Sequence, residues 1–353
     1  MIDQAKAIRP GEELPIPVLK EYIQKLFPDS KGAFKVQQYP AGHSNLTYLI
    51  SFGNQSWVLR RPPYGSKVKS AHDMSREFRM INAIKDAFPY CPQVHHLCED
   101  SELIGAPFYL MAPISGIIFR KDIPKELNFN PEKMRKCCEQ LIEVHAKLHS
   151  IPLSDPKVQS LGKPKGYGQR QVEGWCKRIN QAATPDAPDW TYIANWLKDK
   201  LPQNHERASV IHNDYKFDNV VWDQNDPSKV LGILDWEMAT LGDPLMDLGN
   251  SLAYWVEASD PPALQQLRML PTTTPGALSR KELVAFYREK TDLPWDDFNY
   301  FYVFGLFRLA GIVQQIYYRF YQGLTKDKRF AGFIHLVRAL EKTTALAIEN
   351  PQF

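Results

Sequence analysis

The chain has 353 residues, and 43 Lys and Arg against 40 Asp and Glu leave a net charge of +3. At about 150 residues per domain, that length is room for two domains or one large two-lobed one. Hydrophobic residues at 44% and charged residues at 24% exclude a disordered or fibrous chain, and the near-balance of charge argues for neither nucleic acid nor an acidic membrane surface. The longest uncharged apolar run, Phe298–Phe307, is half of the roughly 20 residues a bilayer needs. The N-terminal MIDQAKAIRPGEEL has no apolar stretch of signal-peptide type, so the expected location is the cytoplasm. The cysteines, Cys91, Cys98, Cys137, Cys138 and Cys176, are odd in number and match no zinc spacing; reduced thiols packed as small hydrophobes are expected.

Three short β-branched or aromatic segments, Phe34–Tyr39, Thr47–Phe52 and Trp57–Arg61, read as strands joined by AGHSN and GNQ. Ser70–Ala87 follows as a helix, with Phe78, Ile81 and Ile84 at helical spacing and Pro89 closing it. Val94–Cys98 and Phe108–Met111 are further strands around a Gly-Ala-Pro turn. An antiparallel sheet with one inserted helix is thus complete by about residue 112. Pro131–Ser150 then predicts an amphipathic helix, with Met134, Cys138, Leu141, Val144 and Leu148 on one face. The Pro/Gly-rich stretch IPLSDPKVQSLGKPKGYGQR reads as an exposed connection. Strands return at Val220–Trp222 and Val230–Leu234, and helices run to the end, most periodic over Val303–Gln322 and Arg329–Ile348. No repeat or low-complexity tract interrupts the chain.

The informative loop is Ile211-His212-Asn213-Asp214-Tyr215-Lys216-Phe217-Asp218-Asn219, set between apolar segments. Asp235 stands sixteen residues further on, after the apolar LGIL. An Asp, an Asn five residues later and a second Asp after a hairpin suit phosphoryl transfer. A carboxylate must orient a hydroxyl nucleophile and accept its proton, and hard oxygen ligands must hold the Mg²⁺ that bridges the phosphates.

His-x-Asp-x-x-x-x-Asn followed by a strand-ending Asp resembles the catalytic loop and metal motif of the protein-kinase-like superfamily. HNDYKFDN, ILDWE and GDPLMDLG resemble the aminoglycoside phosphotransferase family. Within it, RRPP and LDWEMATLGDPLMDLG look like the kinase module fused to some acyl-CoA dehydrogenases. The resemblance spans about residues 34–255, and more weakly the C-terminal helices. It implies an α+β, protein-kinase-like two-lobed fold: a small antiparallel β-rich lobe over residues 1–112 that binds nucleotide, and a large helical lobe over 113–353 for catalysis and acceptor binding. It implies ATP and Mg²⁺ as cofactors and a small-molecule hydroxyl as acceptor, with no nucleic acid or membrane partner.

Carried over by position, Asp214 would be the catalytic base and Asn219 and Asp235 the metal ligands. Lys216 would steady the γ-phosphate, and His212 would pack the loop. Gly42, Ser44 and Asn45 lie where the family has its nucleotide loop, although the single Gly is neither a GxGxxG nor a Walker pattern. Strand alternation puts Val58 and Arg60 on one face and Arg61 on the other. Arg60 is therefore the cation expected to pair with the α and β phosphates, where the family more often has Lys, and Glu77 is its partner. Met111 and the hinge after it would contact the adenine edge. Pro113 has no N–H, so the donor is Ala112 or Ile114. Asp243 and Asp247 read as structural, Asp247 bracing the catalytic loop, while Glu237 faces the second metal or the substrate.

Other constellations carry less. His145 and His149 have a zinc-pair spacing without the Glu of HExxH, and no Ser sits in a G-x-S-x-G elbow. From Gly249 onward ten acidic residues face twelve basic ones, a poor trap for the polycation of an aminoglycoside kinase. A non-catalytic nucleotide-binding module is the other alternative; Arg60 suggests it, and the intact Asp214, Asn219 and Asp235 oppose it. Arg308 is an unusual charge in an apolar helix. It is expected to meet either an internal carboxylate such as Asp247 or an anionic or carbonyl-bearing acceptor, such as a hydroxylated acyl-CoA-like or other anionic metabolite.

Overall fold

The computed structural model describes residues 4–40, 45–64, 73–202, 207–266, 268–293 and 297–353. The chain divides into two compact units. The first comprises Met1–Ile118, Val220–Asp226 and Val230–Ala239; the second comprises Phe119–Asn219, Pro227–Lys229 and Thr240–Phe353.

In the first unit α1 (Ile16–Leu26) precedes a five-stranded antiparallel sheet. Its strands are β1 (Phe34–Gln38), β2 (Leu46–Phe52), β3 (Gln55–Arg61), β4 (Val94–Cys98) and β5 (Phe108–Met111), in the order β1-β2-β3-β5-β4. The period of two sorts their side chains. Leu46, Tyr48, Ile50, Phe52, Trp57, Leu59, Phe108 and Leu110 join Leu19 and Ile23 of α1 in one core. Val58 and Arg60 face the other way, paired in register with Met111 and Tyr109. There α2 (Met74–Ile84) packs on β4 and β5. Asp73 caps α2 by accepting the Arg76 N–H at 3.0 Å. The start expected at Ser70 lies outside the described residues.

The sequence suggested a division after residue 112. In the structure the first unit runs six residues further and takes in the hairpin of β7 (Val220–Trp222) and β8 (Val230–Ile233). The reason is a reciprocal bridge: Ile117 and Trp222 exchange both backbone N–H···O bonds at 2.8 Å. A long-range pairing of this kind leaves no trace in local periodicity.

The second unit is helical. It contains α3 (Pro131–His149), α4 (Pro156–Gln159), α5 (Tyr167–Gln181), α6 (Thr191–Asp199), α7 (Pro244–Ala253), α8 (Pro262–Gln265), α9 (Arg280–Glu289), α10 (Asn299–Tyr321) and α11 (Phe333–Glu349), with β6 (Ser209–Ile211) paired antiparallel to β9 (Thr240–Gly242). The expected loop over 151–170 therefore contains α4 and the start of α5. Among the described residues no helix is long and apolar enough to cross a membrane.

Helix α10 is apolar nearly all round and packs against α7 and α11, as a central core helix does. Its approach to α7 is backbone to backbone: a Cβ on Gly305 would lie 2.1 Å from the Gly249 carbonyl oxygen. Gly305→Ala should therefore cost about 1–3 kcal/mol in urea denaturation. Gly332→Ala, where a Cβ meets no atom within 4 Å, should be close to neutral. Equal effects would remove the close approach as the cause.

Candidate active site

The loop that follows β6 is held from beneath by Asp247, fully buried in the first turn of α7. Its Oδ2 accepts the His212 N–H at 2.8 Å and its Oδ1 accepts the Asn213 N–H at 2.7 Å. The Nε2 atoms of His145 and His149 lie 3.1 and 3.2 Å from Oδ2. Burial alone would raise the carboxyl, yet the hydrogen bonds from the two imidazoles hold it well below the usual range. Burial, with His149 beside it, pushes His145 down to about 4. Tyr215 adds to the frame: its ring stacks on His145 at 4.1 Å between centroids and its hydroxyl donates to the Leu141 carbonyl at 2.7 Å. His145, His149 and Asp247 could between them offer metal-ligand atoms. Here those atoms bind one another and the loop backbone.

On this frame stands Asp214, with its carboxylate partly exposed. The Lys216 ammonium lies 2.5 Å from Oδ2 and 3.4 Å from Asp218 Oδ1. Asn219 Nδ2 donates to both the carbonyl and Oδ2 of Asp214, each at 2.8 Å. Burial would lower the Lys216 ammonium, but Asp214 and Asp218 raise it, so it stays charged. The 3-10 turn Phe217–Asn219 brings Asn219 back onto the Asp five residues earlier. Because its amide nitrogen faces Asp214, no hydrogen bond among the described residues uses its Oδ1.

The first unit carries a second constellation. Arg60, buried on β3, places one guanidinium nitrogen 3.4 Å from Glu77 Oε1 and 2.9 Å from Asp235 Oδ1. Glu77 Oε1 also accepts the Trp236 N–H at 3.2 Å. Burial raises the Glu77 carboxyl, opposed by the charge of Arg60. Asp235 has a left-handed backbone, φ 66°, that ends β8 and starts the 3-10 turn Trp236–Met238. In that turn Glu237 accepts from Asn45 Nδ2 at 2.6 Å. Arg61 lies apart, donating to the Ile104 carbonyl at 2.9 Å.

Gly42 and Ser44 lie outside the described residues. Met111 ends β5, paired with Val58 and Val94. The Ala112 N–H donates to the Gln93 carbonyl at 2.8 Å, so the expectation that it could serve the adenine edge is corrected: this donor is spent inside the sheet. Among the described residues no hydrogen bond uses the Ile114 N–H.

Arg308 is buried, and its guanidinium donates to the Asn213 carbonyl at 2.8 Å and lies 5.5 Å from the Trp175 ring centroid. The expected internal carboxylate is not its partner; Asp247 is already saturated by histidines and backbone N–H groups. Sequence reasoning missed Asn213, a non-glycine residue at φ 65°. Asn tolerates that region, and this was the one signal available.

The profile described as the Phosphotransferase enzyme family matches residues 35–278. Acyl-CoA dehydrogenase family member 10 of Mus musculus is 33% identical over 321 residues, covering 90% of this chain and 30% of the relative. The chain thus spans under half the length of the curated relatives it matches. A crystal structure of a candidate aminoglycoside phosphotransferase from Ralstonia eutropha JMP134 superposes with a TM-score of 0.81 at 26% identity, covering 96% of this chain and 100% of that one. Spectinomycin phosphotransferase, solved with ADP and spectinomycin, shares the fold with a TM-score of 0.58 at 13% identity, covering 92% and 98%.

Proposed function

Because the chain belongs to the Phosphotransferase enzyme family and has its kinase-like fold, we propose that it transfers the γ-phosphoryl group of ATP, with Mg²⁺, to a hydroxyl of a small molecule. The observation that carries this reading is the Asp214 carboxylate, held by Lys216 and Asn219 on a loop pinned by Asp247. In this reading Asp214 orients the acceptor hydroxyl and takes its proton, and Lys216 faces the charge of the transferred group. Asn219 and Asp235 would hold the Mg²⁺. An amide oxygen left out of hydrogen bonding and a carboxylate suit a hard cation. The ion, when bound, would neutralise phosphate charge. Arg60, set by Glu77, meets the α and β phosphates. Gly42, Ser44 and Asn45 supply the phosphate loop, and Ile114 the donor to the base.

The acceptor we favour is a hydroxylated acyl-CoA-like or other anionic metabolite. Support comes from the acyl-CoA dehydrogenase relatives and from the stretch from Gly249 onward, where ten acidic residues against twelve basic ones make no trap for a polycation. Magnesium-dependent ATP consumption should be measured with hydroxy acids, their CoA thioesters and aminoglycosides. Consumption with the first two classes is expected, and consumption with aminoglycosides alone would overturn the acceptor class. Ligand at 100 times its Kd stabilises a fold by about 2.7 kcal/mol, and Asp235→Ala should abolish most of the melting shift that Mg-ATP gives the wild type. An undiminished shift would remove Asp235 from the metal site.

A further inference from the structure

The peptide bond joining Asn213 to Asp214 is held at both ends. Its N–H, from Asp214, donates to His212 Nδ1 at 3.2 Å, and its carbonyl accepts from Arg308 at 2.8 Å. Asn213 is further fixed by its own N–H on Asp247, and its Oδ1 accepts from Tyr167 at 3.1 Å and Asn250 at 3.3 Å. Side chains from α5, α7 and α10 thus converge on one residue whose left-handed backbone sets the direction of the next. Most of these partners are neutral groups or a saturated carboxylate. Arg308 differs, because a buried guanidinium normally meets a carboxylate and this one meets a carbonyl and the face of Trp175. Its charge is spent on orienting a peptide plane.

We propose that Arg308 is a positioning residue for Asp214: it clamps the Asn213 carbonyl, keeps the left-handed turn in place and so fixes where the Asp214 carboxylate points. The functional consequence rests on the reading of Asp214 as the base; the clamp itself does not. Lys at this position can still donate one hydrogen bond, but without the planar fork it holds the carbonyl less firmly. Gln or Met removes the charged donor altogether.

The test uses the full chain and water as the phosphoryl acceptor, that is, slow hydrolysis of Mg-ATP, together with hydrogen exchange of the peptide covering residues 209–219. Arg308→Gln is expected to lower hydrolysis about 10- to 100-fold, the scale of a misplaced catalytic group, with the Kd for Mg-ATP nearly unchanged. Exchange of the loop amides should rise while that of α10 stays slow. Arg308→Lys should recover part of the rate and part of the protection, which a loss of bulk packing would not produce. Loop exchange equal to wild type in both variants overturns the clamp. Faster exchange with unchanged hydrolysis overturns the positioning role. Loss of the phosphotransferase reading looks different: the wild type would show no hydrolysis, or Asp214→Asn would retain it, while loop exchange still decides whether Arg308 clamps. If Arg308→Gln fails to fold, the same readouts on Arg308→Lys decide.

Discussion

Asp214→Asn should lower turnover by about 10²–10⁴, the usual worth of general-base catalysis. The substitution keeps the shape of the side chain and one acceptor oxygen, so the bond from Asn219 to the Asp214 carbonyl survives and Lys216 retains Asp218 at 3.4 Å. The Asp214 side chain is only partly buried, and the melting temperature of the variant should stay close to wild type. Mg-ATP should still bind, because Asp214 itself is assigned to neither phosphate nor metal, and Lys216 and Asn219, which are, each keep a second partner. The effect belongs in kcat, since the base acts in the transition state. Wild-type kcat in this variant would take the role of base away from Asp214; a raised KM for ATP with unchanged kcat would make it a binding residue.

Asp247→Asn should produce the largest loss of stability, about 3–5 kcal/mol near neutral pH in urea denaturation. The wild-type carboxylate receives four donors, from His145, His149 and the backbone of His212 and Asn213, in a fully buried site. An amide presents one acceptor oxygen and two donors of its own, so buried N–H groups are left facing N–H groups. The loop that carries Asp214 should loosen as well, and on the proposed reading activity falls in the same variant. A variant as stable as wild type would show that the cluster contributes little.

The same cluster makes the wild type sensitive to acid. Burial and His149 hold the folded-state His145 at about 4, against an ordinary value of 6.5. Between those values the unfolded chain binds a proton that the folded chain does not. Stability is therefore complete above about pH 6.5 and falls as pH drops toward 4, by up to about 3 kcal/mol. Asp247, held well below 3.8, adds stability that is present above that value and lost on further acidification. Denaturation midpoints across this range should decline in the wild type and flatten over pH 6.5–4 in His145→Phe. An unchanged slope would mean that another group carries the acid dependence.

Sequence alone determined whatever rests on near neighbours. The spacing from Asp214 to Asn219 is closed by a single 3-10 turn, so the side chains that bind Asp214 are two and five residues away and legible in the motif. Strand alternation was enough to place Val58 and Arg60 on one face. Periodicity marked α3 and α10 to within a few residues, because a long apolar stripe repeats its signal over several turns. β6 and β9 have three residues each, too few to show a period, and they went unread. Tertiary structure decided which donor meets which acceptor. Ala112 and Ile114 look alike in sequence, and only the approach of Gln93 distinguishes them. The hairpin of β7 and β8 joins the first unit through Ile117, about a hundred residues earlier in the chain. The partner of Arg308 could not be read from α10, because it is a backbone carbonyl 95 residues away, and carbonyls are the same at every position. A sequence names the side chains that carry charge, but the backbone groups that receive them acquire an identity only when the chain folds.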